Sequence, residues 1–242
     1  MHRKWRCRRQ GQCTGFWAID EDARRNPTRV PGLEGAIQVA TGGGHSCAIT
    51  ADGAVYCWGG NNSGQLGDGT QGPGTARDVP QPVLGLTDRA ARLALAHRVS
   101  CAILVSGEVY CWGDGDDGVL GNGNLETQNG AAKVPDVENV VDMDIQDHGC
   151  AVRANGTIAC WGYDTFLPGG GLTNDIVPTP VLVDGISDVV DIAVGFWFMC
   201  ALTASQEIYC WGANGDHELG LGDGSPYWVD VPTRVDWRAA LQ

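Results

Sequence analysis

Short stretches in which apolar and polar residues alternate recur along the chain, about 50 residues apart, and a glycine-rich polar segment follows later in each recurrence. An alternation with a period of two predicts β-strands with two distinct faces. The first strand of each unit is predicted at residues 36–42, 91–97, 140–146 and 189–195. Four copies of one β-rich unit are therefore expected.

Each predicted strand precedes a hairpin whose register is set by two cysteines with nine residues between them. If Cys47 faces Cys57 across an antiparallel pair, a three-residue loop remains, with Gly53 in its third position. That position takes the left-handed conformation, which glycine adopts without steric cost. Gly107 and Gly156 hold the same place in the second and third units. The fourth unit has Gln206, for which we predict a strained turn.

The cysteine spacing favours disulfides over metal binding. In this register the cysteines form a non-hydrogen-bonded pair, whose Cα atoms are close enough for a disulfide. A zinc site with two to four residues between ligands is not present. We predict five intramolecular pairs, the last with a shorter spacing: Cys47 and Cys57, Cys101 and Cys111, Cys150 and Cys160, Cys200 and Cys210, and Cys7 and Cys13.

A fourth strand is predicted from the Pro/Val segments late in each unit, at residues 80–86, 133–137, 178–183 and 231–235. Four-stranded units of this size cannot bury both sheet faces alone, so they are expected to stack radially as the blades of an all-β β-propeller. A tryptophan follows the second cysteine of every hairpin, and we expect it to pack between blades. These tryptophans are Trp58, Trp112, Trp161 and Trp211.

The motif order "HSCAITADGAVYCWGGNNSGQLGDGT", residues 45–70, followed by a late Pro/Val strand, resembles the regulator of chromosome condensation repeat, and the resemblance extends over residues 31–236. It implies a β-propeller fold and protein partners. The four full repeats are assigned to residues 31–84, 85–137, 138–184 and 185–242, and residues 1–30 to a partial repeat with a shortened Cys7/Cys13 hairpin. The C-terminal segment is expected either to close a ring of about five blades or to end an open arc.

Charge and composition narrow the possible partners. The net charge is −13, and residues 31–242 hold 26 acidic side chains against eight Lys or Arg. An acidic surface repels nucleic acid phosphates, so no nucleic acid partner is expected. No apolar run is long enough to span a membrane. Because disulfides persist in oxidising compartments, we expect a secreted, periplasmic or cell-surface protein. The basic start lacks the apolar segment of a secretory signal, so such a signal would lie upstream or have been removed.

No established catalytic motif is present, and we expect no metal or other cofactor. Weak catalytic candidates are the face-loop acids and histidines, which would serve an extracellular hydrolase or lyase. Three acids in the glycine-rich loop of the second unit are weak calcium candidates, although that loop lacks the closing Glu of a helical calcium loop. The catalytic candidates are His45, Asp144, Asp147 and His148; the calcium candidates are Asp114, Asp116 and Asp117.

Aromatic residues in loops, where other repeats have small or polar residues, are the strongest binding signal. They are Tyr163, Phe166, Phe196, Trp197, Phe198, Tyr227 and Trp228. The favoured hypothesis is a non-catalytic recognition scaffold that binds a protein or glycan through loops on one propeller face. The alternatives are the extracellular polymer-degrading enzyme and a structural fragment of a larger propeller.

Overall fold

The computed structural model describes residues 29–163, 176–222 and 224–236. These residues form four antiparallel sheets of four strands, and each sheet is a meander in which sequential strands are neighbours. We number the sheets blade 1 to blade 4. Their strands are β1 (Ala36–Thr41), β2 (His45–Thr50), β3 (Val55–Gly59) and β4 (Arg77–Pro82); β5 (Ala90–Leu95), β6 (Val99–Leu104), β7 (Val109–Gly113) and β8 (Gln128–Lys133); β9 (Val140–Ile145), β10 (His148–Arg153), β11 (Ile158–Tyr163) and β12 (Ile176–Leu182); β13 (Val189–Val194), β14 (Phe198–Thr203), β15 (Ile208–Ala213) and β16 (Trp228–Arg234).

The predicted hairpin register is confirmed in all four blades. Each cysteine pair is directly opposite in the ladder, each is disulfide-bonded, and each has a Cα–Cα distance of 4.1 Å. Gly53, Gly107 and Gly156 have φ values of 85°, 81° and 78°. Gln206 occupies the same conformation with a φ of 65°, as expected for a strained turn. The Cys7/Cys13 hairpin lies outside the described residues.

The fourth strands of blades 3 and 4 overlap the predicted segments closely, but those of blades 1 and 2 begin earlier than predicted. β4 begins at Arg77 and β8 at Gln128, several residues before the Pro/Val segments that were expected to form them. These strands pair on one side only, and a register shift follows Cys57 and Cys111 in the partner strand. An outer strand tolerates proline because the missing N–H would otherwise point to solvent. β4 contains two of these prolines, whereas Pro135 lies beyond the end of β8, so proline does not fix the bounds of the outer strand.

Neighbouring blades pack face to face, so blades 2 and 3 are covered on both sheet faces. The first strands contact each other in the order β1, β5, β9 and β13, and apolar clusters fill the space between neighbouring blades. Trp112 and Trp161 are fully buried and donate from Nε1 to carbonyl groups of the preceding blade, Gln65 at 3.0 Å and Val119 at 2.8 Å. The predicted packing of the repeated tryptophans between blades is confirmed for these two.

The described blades form an arc whose first face is uncovered. Val39 on β1 is 65% exposed, whereas Leu93, Met143 and Ile192, at the same position of β5, β9 and β13, are at most 8% exposed. Trp58 is likewise only partly buried. No helix in the described part of the chain has the length and apolar character needed to cross a bilayer.

Candidate functional site

One end of the arc is built from two sets of loops, described in full for blades 1 and 2, and we call it the loop face. Because the strands are antiparallel, the turn between the first and second strands lies at the same end as the connection after the third strand. Backbone hydrogen bonds join the two sets. They run from Gly60 N to Gly44 O at 2.8 Å, from Asp114 N to Arg98 O at 3.1 Å, and from Ala213 N to Trp197 O at 2.7 Å.

Three aromatic side chains of blade 4 are exposed on the loop face, and we call them the aromatic patch. Phe196, Trp197 and Tyr227 are 64%, 61% and 76% exposed. The consecutive residues Ala213 and Asn214 donate their N–H groups to the carbonyls of Trp197 and Tyr227, at 2.7 and 2.8 Å. Both loops are therefore fixed to one point of the backbone.

Buried Asn214 holds the longer of these two loops in place. Its Nδ2 donates to Ser225 Oγ at 2.8 Å and to Pro226 O at 2.9 Å, while its Oδ1 accepts from Leu219 N at 3.2 Å. Asn61 does the same in blade 1, where it bonds to Thr70 and Leu66. A loop with its own side-chain network is preorganised, which lowers the entropic cost of binding.

The other predicted binding aromatics have different surroundings. Phe198 is the first residue of β14, Tyr163 the last of β11 and Trp228 the first of β16. All three are partly buried and pack against an apolar cluster that combines residues of blades 3 and 4. Phe166 lies outside the described residues.

The two histidines considered for catalysis are buried between blades. His45 Nε2 lies 2.7 Å from Ser100 Oγ of blade 2. Because this hydroxyl donates its only proton to Gln65 O at 2.9 Å, it must accept from the His45 ring. Burial, with a contribution from His97, lowers the pKa of His45 to about 4, and burial lowers the pKa of His148 to about 3. Both rings are therefore neutral near pH 7, and they lie two blades apart with almost no exposure.

Asp144 connects the first strands of blades 3 and 4. Its oxygens accept from Ile145 N at 2.9 Å and Val194 N at 2.8 Å. Burial raises the pKa of Asp144, and the two N–H groups oppose that shift. Each carboxylate oxygen thus accepts a hydrogen bond from a backbone N–H group.

A second acidic contact at the same boundary was not identified from the sequence. Asp142 on β9 is buried and forms an ion pair with Arg92 of blade 2, at 2.7 Å. Burial and a hydrogen bond with Asp191 of blade 4 raise the pKa of Asp142 to about 6, while Arg92 opposes the shift. The same position in three consecutive first strands is occupied by Arg92, Asp142 and Asp191. The alignment of the repeats could have indicated this contact, because equivalent residues of neighbouring blades come close together.

A cavity of about 220 Å³ opens on the loop face between blades 2 and 3. It brings the calcium candidates Asp114, Asp116 and Asp117 together with Asp147, which the sequence had placed in a separate group, and it adds His97 and Arg98. Burial, followed by the charge of Asp117, raises the pKa of Asp147, and His97 opposes this.

The carboxylate of Asp114 interacts with two side chains of the protein. It accepts from Ser63 Oγ at 3.1 Å and lies 3.5 Å from Arg98 Nη1. Across the described residues, no three His, Cys, Asp or Glu side chains are grouped as metal ligands would be.

Comparisons with known proteins agree with this architecture. Sequence profiles described as the Regulator of chromosome condensation (RCC1) repeat match residues 36–65 and 189–218, and residues 52–103 and 106–151. Together these matches cover more than half of the chain. The chain is 30% identical over 187 residues to the E3 ubiquitin-protein ligase HERC2 of Homo sapiens, an alignment that covers 74% of this chain and 4% of HERC2.

Solved structures show the same fold. Human WBSCR16 superposes with a TM-score of 0.77 at 23% identity, over 93% of this chain and 60% of that protein. Yeast RCC1 (Prp20), in its crystal structure with Kap60, superposes with a TM-score of 0.67 at 25% identity, over 82% of this chain and 48% of that chain. The matched part of each is thus at most about three-fifths of its length. The chain belongs to the regulator of chromosome condensation repeat family.

Proposed function

We propose that this chain is a non-catalytic recognition scaffold of an oxidising compartment, secreted, periplasmic or at the cell surface, and that it binds a protein through the aromatic patch. The observation that carries the proposal is the exposure of Phe196, Trp197 and Tyr227 on loops that are fixed to adjacent backbone groups. Large aromatic side chains on a rigid support provide much of the binding energy at protein interfaces.

A protein ligand is preferred over a glycan for two reasons. A related structure, yeast RCC1 (Prp20), is described in its complex with a protein, Kap60. The three side chains of the patch are also each more than 60% exposed, whereas sites for small ligands usually bury most of the ligand surface in clefts.

The oxidising compartment is supported by the four disulfides. Cys47, Cys101 and Cys150 are completely buried, and each is bonded across a hairpin. Structural disulfides of this kind are maintained outside the reducing cytosol.

The test is capture of a binding partner by the disulfide-bonded chain from the extracellular or periplasmic fraction of its source, followed by measurement of the affinity for the purified partner. Trp197→Ala and Tyr227→Ala should each weaken the affinity about tenfold or more. Because both side chains are exposed, the free energy of unfolding should change by less than about 0.5 kcal/mol.

Val39→Ala is the matched control, since it removes an equally exposed apolar side chain at the other end of the arc. Equal losses of affinity in all three variants would contradict a binding site at the aromatic patch. So would a partner that binds with unchanged affinity when both aromatic residues are replaced.

A further inference from the structure

The outward face of blade 4, formed by Phe198, Cys200, Leu202 and Ile208, is partly exposed. The equivalent faces of blades 1 to 3 are fully buried against the following blade. In blade 2, for example, the corresponding residues are Val99, Cys101, Ile103 and Val109, and none is more than 3% exposed. Blade 4 therefore presents apolar surface that the other blades use for packing.

Two positions show that this face is not shaped for another blade of the same kind. In the hairpin turns of blades 2 and 3, a Cβ on Gly107 would lie 2.9 Å from Asn139 Cα, and a Cβ on Gly156 would lie 2.7 Å from Asp188 Cα. These contacts, with the following blade, are closer than real Cβ atoms approach. Blade 4 carries Gln206 at this position.

The second position lies in the loop after the third strand. A Cβ on Gly64 would lie 3.0 Å from Asn129 Cα of the following blade, and one on Gly118 would lie 3.1 Å from Pro178 Cα. The equivalent residue of blade 4 is His217, with a φ of 63°. At both positions, blade 4 thus has a side chain where a following blade would need the space.

The outward face continues into the aromatic patch, because Phe198 directly follows Phe196 and Trp197. The sequence of this part of the chain is strongly acidic. Residues 185–236 contain eight Asp or Glu and a single Arg, Arg234, whose Nε lies 3.3 Å from Glu207. An apolar and aromatic surface beside the exposed carboxylates of Asp216 and Glu218, in the loop that carries Tyr227, complements a cationic ligand through Coulombic attraction and cation–π contacts.

We propose that the outward face of blade 4 and the aromatic patch together form one docking surface for an amphipathic, Lys/Arg-containing segment of the protein partner. The apolar side chains of the segment cover Leu202 and Ile208. Its cationic side chains lie over Trp197 and Tyr227 and near Glu218, which is exposed in blade 4. This proposal rests on the proposed function and names the chemistry of the partner.

The experiment uses the full disulfide-bonded chain and two synthetic peptides with the same length and the same Leu and Phe positions. One peptide has Lys and Arg at its remaining positions, and the other has Glu. The cationic peptide should bind at least about tenfold more tightly than the acidic one, and its affinity should fall as salt screens the charges. Titration calorimetry measures both affinities.

Three variants test the location. Trp197→Ala should weaken binding of the cationic peptide about tenfold. Glu218→Lys should weaken it severalfold through charge reversal and reduce the salt dependence. Val39→Ala should leave it unchanged. Circular dichroism spectra that match the wild type show that each variant is folded.

Equal binding of the two peptides, binding of neither, or an equal effect of Val39→Ala would overturn the proposal. The outcome is separable from the proposed function. If Trp197→Ala abolishes binding of a captured partner while the peptides do not discriminate, the scaffold function stands and the cationic segment is wrong.

Discussion

At the scale of single residues, the third position of the hairpin loop has the same left-handed backbone conformation in all four blades but is occupied by two different residue types. Blades 1 to 3 have glycine there with φ values near 80°, and blade 4 has Gln206 with a φ of 65°. A side chain in the left-handed region costs about 1 kcal/mol or more, because Cβ approaches the following carbonyl oxygen. Blade 4 therefore holds a strained turn.

Gln206→Gly should stabilise the protein by up to about 1 kcal/mol, because relief of the strain exceeds the extra entropy that glycine brings to the unfolded chain. Urea unfolding followed by fluorescence measures the change. The reverse substitution in blade 2, Gly107→Ala, is the control. It should destabilise by more than about 1 kcal/mol, since it adds both the strain and a close contact with Asn139. A destabilised Gln206→Gly variant would show that the glutamine side chain contributes contacts that outweigh its conformation.

Asp142 makes stability depend on pH in an unusual direction. Its pKa rises from an ordinary value of 3.8 to about 6, through burial and the hydrogen bond with Asp191. A carboxyl group with a raised pKa binds its proton more tightly in the folded state. Its contribution to stability is complete below the unfolded pKa and is lost as pH rises through the folded pKa.

Between about pH 4 and pH 6 the contribution of Asp142 to the free energy of unfolding should therefore fall with increasing pH, and Asp142→Asn should remove this component. Asp191→Asn should lower the pKa of Asp142, because it removes the neighbouring acid. The titration of Asp142 by carbon NMR and urea unfolding at several pH values measure the two effects. An unchanged pH profile in Asp142→Asn would exclude Asp142 as its source.

At the scale of structural elements, the repeated tryptophan joins consecutive blades. Trp161 is fully buried, and its Nε1–H reaches the Val119 carbonyl of the preceding blade at 2.8 Å. Trp112 makes the same bond to Gln65 at 3.0 Å. One side chain thus provides both apolar packing and a partner for a loop carbonyl at each of these two boundaries.

Trp161→Phe should destabilise the protein by about 2 kcal/mol, because it removes this hydrogen bond and leaves a small cavity. Trp58→Phe is the matched control at the partly exposed face of blade 1, and it should cost less than about 1 kcal/mol. Thermal or urea unfolding compares the two variants. Similar losses would mean that the tryptophan stabilises its own hairpin rather than the contact between blades.

The sequence was sufficient to predict those elements whose position is determined by nearby residues. Cysteine spacing and the turn glycine set the register of each hairpin, and alternation located the first strands. The starts of β4 and β8 depend instead on pairing across a register shift after Cys57 and Cys111, which no local signal reports. The acidic contact between Asp142 and Asp191 likewise depends on how neighbouring blades align.

Only part of the candidate site could be predicted, because the rest depends on how neighbouring blades pack. The loop aromatics were recognisable as a group, because other repeats have small residues at those places. Their division into exposed Phe196, Trp197 and Tyr227 and partly buried Tyr163, Phe198 and Trp228 follows from packing of the second group against an apolar cluster that combines residues of blades 3 and 4. The cavity that unites Asp114 and Asp147 forms only when blades 2 and 3 meet.

At the scale of the whole molecule, the disulfides account for a large part of the stability. Each closes a short loop across one hairpin, and each such bond contributes about 2 to 3 kcal/mol. The four pairs lie in separate blades, so their contributions should add approximately. The sum, about 10 kcal/mol, is comparable to the entire stability of a typical domain, about 5–15 kcal/mol.

The fully reduced chain should therefore be unfolded or nearly so at 25 °C, which is the physical reason to expect an oxidising compartment. Circular dichroism and tryptophan fluorescence, with and without reductant, measure the loss of the sheets and of the tryptophan environment.

Reduction should begin at Cys200–Cys210, because Cys200 is partly exposed while the cysteines of blades 1 to 3 are buried. Alkylation followed by mass spectrometry reports the order in which the disulfides are reduced. The variant with Cys200 and Cys210 both replaced by Ala serves as a control, since it should remain folded and lose about 2 to 3 kcal/mol. A reduced chain that keeps its sheets and still unfolds cooperatively would show that packing between blades is sufficient, and the argument for an oxidising compartment would fail.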